Sequence, residues 1–271
     1  MVPLLTQLPE TRSFVLHFDM TAPLDAKTPT APAPPAPRPG AAAWLLEWLK
    51  SIAFALVVWL FLRAFVIEAF RIPSQSMENT LLVGDFLFVN KAVYGAEVPL
   101  LHWWLPVIRE PARGDVVIFD SVEPERAGMK IVKRVVGLAG DTLAMHGGVL
   151  YRNGSALSEP YAVHDGAPHS ESPEARAQMR SWQVSHLAGN DPDHYWPDLN
   201  EWGPIVVPHD SLFVMGDNRE SSYDGRYWGF LPRANVRGTP LFVYYSYDPV
   251  TTKVAPALTN IRWGRLFHVP R

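Results

Sequence analysis

The chain has 271 residues, which is room for one or two globular domains together with additional segments. Its formal charge of −3 gives no reason to expect a nucleic acid as a partner. The absence of cysteine excludes disulfide bonds, thiolate metal sites and a cysteine nucleophile. Because no histidine or acidic residues stand at the spacing of metal ligands, we expect neither a metal nor another cofactor.

The first part of the chain contains a run of proline and alanine at 28–40. Such a run is extended and cannot pack a core, so residues 1–40 are predicted to form a flexible tail. The extreme start lacks the basic-then-apolar layout of a cleavable signal peptide.

Residues 41–70 contain no glycine or proline and are predicted to form one transmembrane helix. The uncharged stretch 51–62 would be only about 18 Å long as a helix, so flanking residues would have to complete the span. Lys50 and Arg63 would extend their charged ends towards opposite membrane interfaces. The alternative is a buried core helix, which is less favoured because large apolar residues occur on every side.

From residue 82 onward the hydrophobic pattern has a period of two, which is typical of β-strands. The strand-like runs are 85–90, 115–119, 130–136, 211–215 and 238–247. Turn residues separate these runs at short intervals, which favours an antiparallel β fold over alternating strands and helices. Residues 71–271 are therefore predicted to form a mostly β domain, with a polar, β-rich insertion at about 151–208.

Two serines follow a proline directly after the apolar segment. Pro73 has a fixed φ and restricts Ile72 to an extended conformation, so the helix should end before them. Ser74 and Ser76 are candidate reactive hydroxyls, although serines after a proline are common in any loop.

Lys133 lies inside an apolar strand-like run, on the same face as Ile131 and Val135. If this face is buried, desolvation disfavours the ammonium form and should lower the pKa of Lys133 towards neutrality. A neutral amine can act as a general base for a serine hydroxyl. The alternative is a lysine on an edge strand whose amine reaches water.

The nine histidines offer a competing serine–histidine mechanism. They occur mostly in polar loop sequence, and none stands in a His-Glu-x-x-His pattern or beside a nucleophile elbow. We therefore expect structural or solvated roles for them.

Several separated blocks stand in a fixed order: an apolar helix, 73–77 with 80–81, 84–85, 113–117, 133–137 with 140–141, and then 216–219 with Ser222, Asp224 and 226–229. This order closely resembles that of bacterial type I signal peptidase (leader peptidase), the membrane-bound Ser/Lys endopeptidase. The chain resembles that family over roughly residues 50–250, and several blocks in the right order are far more specific than any one of them.

The resemblance implies a role for each matching residue. Ser76 matches the nucleophile and Lys133 the general base of the family. Ser74 matches the residue whose hydroxyl forms the oxyanion hole together with the backbone N–H of Ser76. Ser222 matches the residue that orients the lysine amine. The charged pairs that support the site correspond to Asp217 with Arg134 and Asp224 with Arg226.

By the same resemblance, the substrates are secretory preproteins cut after a small-x-small motif, and the catalytic domain lies on the outer face of the bacterial cytoplasmic membrane. The fold implied is an antiparallel β catalytic domain with a variable β-rich excursion and an N-terminal membrane anchor. The expected partners are therefore signal peptides and the phospholipid membrane, and we expect a monomer. A pocket for small side chains is predicted to be lined by Phe70, Ile72, Leu81 and Val132.

The sequence departs from the family at Asn79, where a proline is usual, and in showing only one membrane span where some relatives have two. Two other functions stay open. One is another Ser/Lys hydrolase, although the Ser-x-x-Lys motif of penicillin-recognising enzymes is not present at Ser76. The other is a membrane-anchored β scaffold without catalysis.

Overall fold

The computed structural model describes residues 40–65, 67–95, 97–98, 103–104, 106–164, 171–189, 192–251 and 254–271. The chain divides into two compact units, Met1–Leu49 and Lys50–Arg271. Apart from Gly40, the predicted N-terminal tail lies outside the described residues.

Helix α1 spans Ala41–Phe65. Every side chain described from Trp44 to Leu60 is exposed, and nearly all of them are apolar. The prediction that this helix continues to residue 70 is wrong, because strand β1 occupies Ile67–Arg71 and pairs antiparallel with strand β2 at Asp85–Asn90. In this pairing, β2 supplies hydrogen-bond partners for the backbone N–H and C=O groups of β1, which a helix would otherwise have supplied. Among the helices in the part of the chain that the structure describes, none has the length and apolarity needed to cross a membrane.

Strands dominate the rest of the chain. After β2 they are β3 (Glu97–Val98), β4 (Trp103–Trp104), β5 (Val116–Asp120), β6 (Lys130–Leu138), β7 (Thr142–His146), β8 (Val149–Arg152), β9 (Ser155–Ala156), β10 (Trp202–Val206), β11 (Ser211–Met215), β12 (Leu231–Pro232) and β13 (Val236–Ser246). In the part of the chain that the structure describes, three further α-helices are α2 (Pro173–Gln183), α3 (Gly225–Trp228) and α4 (Pro256–Thr259). The predicted strand-like runs correspond to β2, β5, β6, β11 and β13.

A seven-stranded antiparallel sheet carries the candidate site, in the order β1-β2-β13-β5-β6-β11-β12. A second, four-stranded sheet has the order β10-β7-β8-β9, and β3 pairs with β4 alone. The prediction of a mostly antiparallel β fold is confirmed.

Strand β13 lies between β2 and β5 in the large sheet. It pairs with β2 through Thr239–Ser246 and with β5 through Val236 and Gly238, both antiparallel. Gly238 allows this close pairing, since a Cβ there would lie 2.4 Å from the carbonyl oxygen of Asn90.

The core consists of three clusters of buried apolar side chains. One contains residues of β1, β2, β5, β6 and the segment after β1, including Ile72, Met77, Leu81 and Val132. A second lies under β5, β6 and β11, and a third under the small sheet with Met179 of α2. The first cluster fixes the loop that follows β1 against the large sheet, next to β6.

The segment at 151–208 is less β-rich than predicted. Its described residues contain the end of β8, the short strands β9 and β10, and the eleven-residue helix α2. Ser172 caps α2 by accepting a hydrogen bond from the Ala175 N–H (3.2 Å), and Pro173 suits the first helical position. Helix α2 then packs on α3, where Trp182 Nε1 and Gln183 Nε2 donate to the carbonyl oxygen of Arg226.

Candidate active site

The loop after β1 presents Ser76 on a single 3₁₀ turn, Gln75–Met77. Ser76 and Met77 are buried, and the Met77 carbonyl oxygen accepts from the backbone N–H of Leu81 at 2.7 Å. Asn79 has a positive φ of 82°, a conformation that asparagine tolerates and proline cannot adopt. The residue that departs from the family pattern therefore suits the turn that this chain makes.

Lys133 lies on β6, directly opposite Val117 of β5. Its Nζ is 2.5 Å from Ser76 Oγ, and the exposed fractions of Lys133 and Ser76 are 3% and 6%. Burial lowers the pKa of Lys133 to about 8, although the nearby Asp224 carboxylate acts in the opposite direction. The two predicted reactive residues, far apart in sequence, thus meet in the structure.

Ser74 lies at the entrance of the 3₁₀ turn and is exposed. Its Oγ is 3.3 Å from Ser76 Oγ and makes no capping hydrogen bond to the turn. Ser76 itself is in the first turn of a helix, where backbone N–H groups have no intrahelical acceptor. Both donors predicted for an oxyanion hole are therefore next to the candidate nucleophile.

A buried ion pair lies behind Lys133. Arg226 donates through Nε to Asp224 Oδ1 (2.9 Å) and through Nη2 to Asp224 Oδ2 (2.9 Å), and the Gly216 N–H and Ser222 Oγ also donate to Oδ2. Burial alone would raise the pKa of Asp224, but the Arg226 guanidinium and these donors hold it below its ordinary value. Ser222 therefore contacts Asp224 in this structure, and its predicted orienting contact with the Lys133 amine stays a prediction.

A second buried pair lies beside the loop that carries Ser76. Arg134 makes two hydrogen bonds to Asp217, from Nε to Oδ1 (2.8 Å) and from Nη2 to Oδ2 (2.6 Å), and Thr80 Oγ1 donates to Oδ2 at 2.5 Å. Arg134 follows Lys133 in β6, and Thr80 closes the turn after Ser76. The network therefore joins the two chain segments that carry the candidate reactive groups.

A cleft of about 310 Å³ opens onto Ser76 and Lys133. Phe70 of β1 and Val132 of β6 line it, although these strands are not neighbours in the sheet, so the curl of the sheet brings them together. Ile72 and Leu81 do not line this cleft: they are buried in the core cluster beneath it. Their predicted place in the pocket is corrected, because an apolar pattern identifies buried positions without indicating whether they face a cavity.

Two residues that shape the site, Gly216 and Tyr223, were given no role from the sequence. A Cβ on Gly216 would lie 2.4 Å from the Ser76 carbonyl oxygen and 2.2 Å from Ser222 Oγ, so only glycine fits there. In the sequence, Gly216 stands between a strand-like run and a polar, charged segment. A glycine at such a place is common in turns and does not indicate that two chain segments pack closely there. Tyr223, which lines the cleft, gave no signal at all.

Among the described residues, no group of three or more histidine, aspartate or glutamate side chains is placed so that it could hold a metal ion. The chemistry available at the cleft is that of a buried amine next to a hydroxyl, with hydrogen-bond donors around them. Such an arrangement is suited to nucleophilic attack on a carbonyl carbon.

Comparison with known proteins finds the following similarities. The family described as signal peptidase, peptidase S26, matches residues 45–245. The chain is 36% identical to signal peptidase I of Pseudomonas aeruginosa over 219 residues, which are 76% of this chain and 74% of that protein. It is 35% identical to signal peptidase I of Leptolyngbya laminosa over 226 residues, 81% of this chain and 90% of that protein. A crystal structure of a signal peptidase I from Enterococcus faecalis aligns at 29% identity with a TM-score of 0.31, covering 48% of this chain and 97% of that chain.

Proposed function

Because the chain belongs to the signal peptidase family, peptidase S26, we propose that it removes signal peptides from exported preproteins with a Ser76–Lys133 catalytic pair. The observation that carries the proposal is the 2.5 Å distance between Lys133 Nζ and Ser76 Oγ in a buried environment. A lysine held at this distance without solvent around it can accept the serine proton as a neutral base.

The reaction would begin when neutral Lys133 takes the Ser76 proton and Ser76 Oγ attacks the scissile carbonyl carbon. The resulting ammonium would then give its proton to the leaving amine, which is the new N-terminus of the mature protein. Water would hydrolyse the acyl-enzyme, with Lys133 again as the base. The buried Asp224 carboxylate near Lys133 favours the transient ammonium, because it raises the pKa of Lys133 relative to burial alone.

The oxyanion would be stabilised by the Ser76 N–H and the Ser74 hydroxyl. Ser74 Oγ is 3.3 Å from Ser76 Oγ, and it is free of a capping bond. One such donor typically contributes about 3–4 kcal/mol to transition-state stabilisation. Ser74→Ala should therefore lower kcat by about 100-fold or more with little change in KM.

Two strand edges that have no partner strand among the described residues support binding of an extended peptide. Strand β1 is the edge of the large sheet, and β6 pairs with β11 only from Arg134 onward. The backbone N–H and C=O of Val135 make hydrogen bonds to the segment that leads into β5. Successive residues of an antiparallel strand direct these groups to alternate sides, so the N–H and C=O of Val132 face away from β5 and lie beside the cleft. The preprotein segment before the scissile bond would pair with these edges. Phe70 and Val132 would then restrict its side chains by steric overlap.

Membrane attachment is proposed through the apolar surface of α1, which can contact lipid although no helix of the described residues is long and apolar enough to cross the bilayer. Its described side chains are exposed and apolar on all sides, with Glu47 and Lys50 as the charged exceptions in 44–60, a pattern typical of contact with lipid. As in the signal peptidase family, the catalytic domain would act on the outer face of the bacterial cytoplasmic membrane. Alkaline carbonate extraction should leave the protein in the membrane pellet, and its release into the supernatant would refute the anchor.

The decisive experiment is cleavage of a purified preprotein by the detergent-solubilised full chain and by Ser76→Ala and Lys133→Ala. Both variants should lose cleavage by at least 1,000-fold, as is typical when a nucleophile or its base is removed. Ser155→Ala and Lys91→Ala are matched controls on β9 and after β2 that should retain activity. If Ser76→Ala cleaves the preprotein at the wild-type rate, the nucleophile is a different residue. If the wild type cleaves no preprotein, the alternative of a scaffold without catalysis is favoured.

A further inference from the structure

The wall of the cleft opposite β1 is formed in part by the β5–β6 connection, residues 121–129, which contributes Arg126 and Met129. Residues 124–129 are exposed. The hydrogen bonds that close this connection are internal, from the Ser121 N–H to the Met129 carbonyl oxygen and from the Met129 N–H to the Arg126 carbonyl oxygen. A short exposed connection of this kind needs outside contacts to keep one position against a substrate.

Tyr223 supplies such a contact. Its hydroxyl donates to Glu123 Oε1 (2.7 Å) and accepts from Gln178 Nε2 (2.7 Å), while the Arg126 guanidinium lies 4.8 Å from the centre of its ring. The ring stacks on Tyr227 at 5.0 Å. Glu123 and Arg126 belong to the cleft wall, and Gln178 belongs to helix α2, so one side chain joins both.

The state of the Tyr223 hydroxyl suits this role. Burial and the hydrogen bond to Glu123 raise the pKa of Tyr223, so the hydroxyl stays protonated and can donate throughout the neutral range. A hydrogen bond to a carboxylate is among the stronger kinds, because one partner is charged. The Gln178 amide in turn fixes the direction of the hydroxyl.

We propose that Tyr223 is a positioning residue that holds the cleft wall 121–129 against helix α2 and thereby sets the affinity for the extended preprotein segment. This inference rests on the proposed function. It gives the polar segment that contains α2 a part in substrate recognition, without contact between α2 and the reacting groups.

Tyr223→Phe tests the proposal, because it removes the hydroxyl and retains the ring that packs on Tyr227. With the full chain in detergent and a preprotein substrate, we expect KM to rise about fivefold while kcat and the pH profile stay unchanged. Gln178→Ala should give a smaller rise, and the double variant should be no worse than Tyr223→Phe, because both changes break one network. Tyr227→Phe is the matched control on the same chain segment, with no expected change in KM.

Amide hydrogen exchange gives a second readout. In Tyr223→Phe the backbone of 121–129 should exchange faster, whereas exchange in β6 and β11 should stay as in the wild type. An unchanged KM in Tyr223→Phe, or a loss confined to kcat, would overturn the inference even if the wild type is a competent peptidase. A wild type that fails to cleave any preprotein would instead overturn the proposed function itself.

Discussion

The protonation state of Lys133 should control the rate of cleavage between pH 6 and pH 10. The pKa of Lys133 is lowered from 10.5 to about 8, because the amine is removed from water. Only the neutral amine can accept the Ser76 proton, so kcat/KM should rise with pH and level off above the pKa. The expected slope is about tenfold per pH unit below pH 7.5.

The size of the effect follows from the change in pKa. A decrease of 2.5 units, from 10.5 to about 8, corresponds to a net of about 3.4 kcal/mol against the ammonium form, after the opposing effect of Asp224 is included. At pH 7 roughly 10% of Lys133 would be neutral, which is about 300 times the fraction expected for a lysine in water. Burial on β6 therefore makes enough Lys133 neutral at pH 7 for it to act as the proposed base.

The assay is kcat/KM for a peptide containing a small-x-small site, measured in detergent at constant ionic strength across this pH range. Circular dichroism at each pH would confirm that the fold is intact. Lys91→Ala is the matched control. Lys91 directly follows β2 and is ion-paired with Glu68, so its removal should leave the inflection of kcat/KM near pH 8. An inflection near 6.5 would indicate a histidine base, and one near 10.5 would show that Lys133 is not desolvated; either result refutes the reasoning.

Two further substitutions test the packing around the site. Gly216→Ala places a Cβ 2.4 Å from the Ser76 carbonyl oxygen, so we expect a loss of about 1–3 kcal/mol in unfolding free energy and a loss of preprotein cleavage. Gly264→Ala, where the added Cβ meets nothing within 4 Å, should leave both unchanged, and urea unfolding measures the difference. Thr80→Val removes the donor to Asp217 while keeping the side-chain shape, and should cost about 1–3 kcal/mol by the same measurement. A change below about 0.5 kcal/mol would show that the hydroxyl contributes nothing to the network.

The strands could be predicted where a local pattern was sufficient. Alternating residues opened by Gly-Asp turns predicted β2 and β5, and the long apolar run with Lys133 predicted β6, because side chains on successive positions face opposite sides of a sheet. The meeting of Ser76 and Lys133 followed from the resemblance to a family. No spacing in the sequence indicates that two residues so far apart should be in contact.

Other features depended on contacts between distant segments. Residues 67–70 continue an apolar run and were assigned to the helix, yet they form β1 because β2 is available for pairing. Ile72 and Leu81 have the composition of a pocket lining but lie in the core. Helix α2 was hidden in a polar segment, and only its Ser-Pro start gave a local signal.

The position of β13 in the large sheet determines when the two halves of that sheet can join during protein synthesis. Ser76 lies between β1 and β2, and Lys133 lies on β6, with β13 between these halves in the order β2-β13-β5-β6. This strand ends at Ser246. A ribosome must therefore translate the chain past that point before Ser76 and Lys133 can meet across one complete sheet. Chains that end before β13 would lack the strand that joins the two halves, so they should not assemble the candidate site.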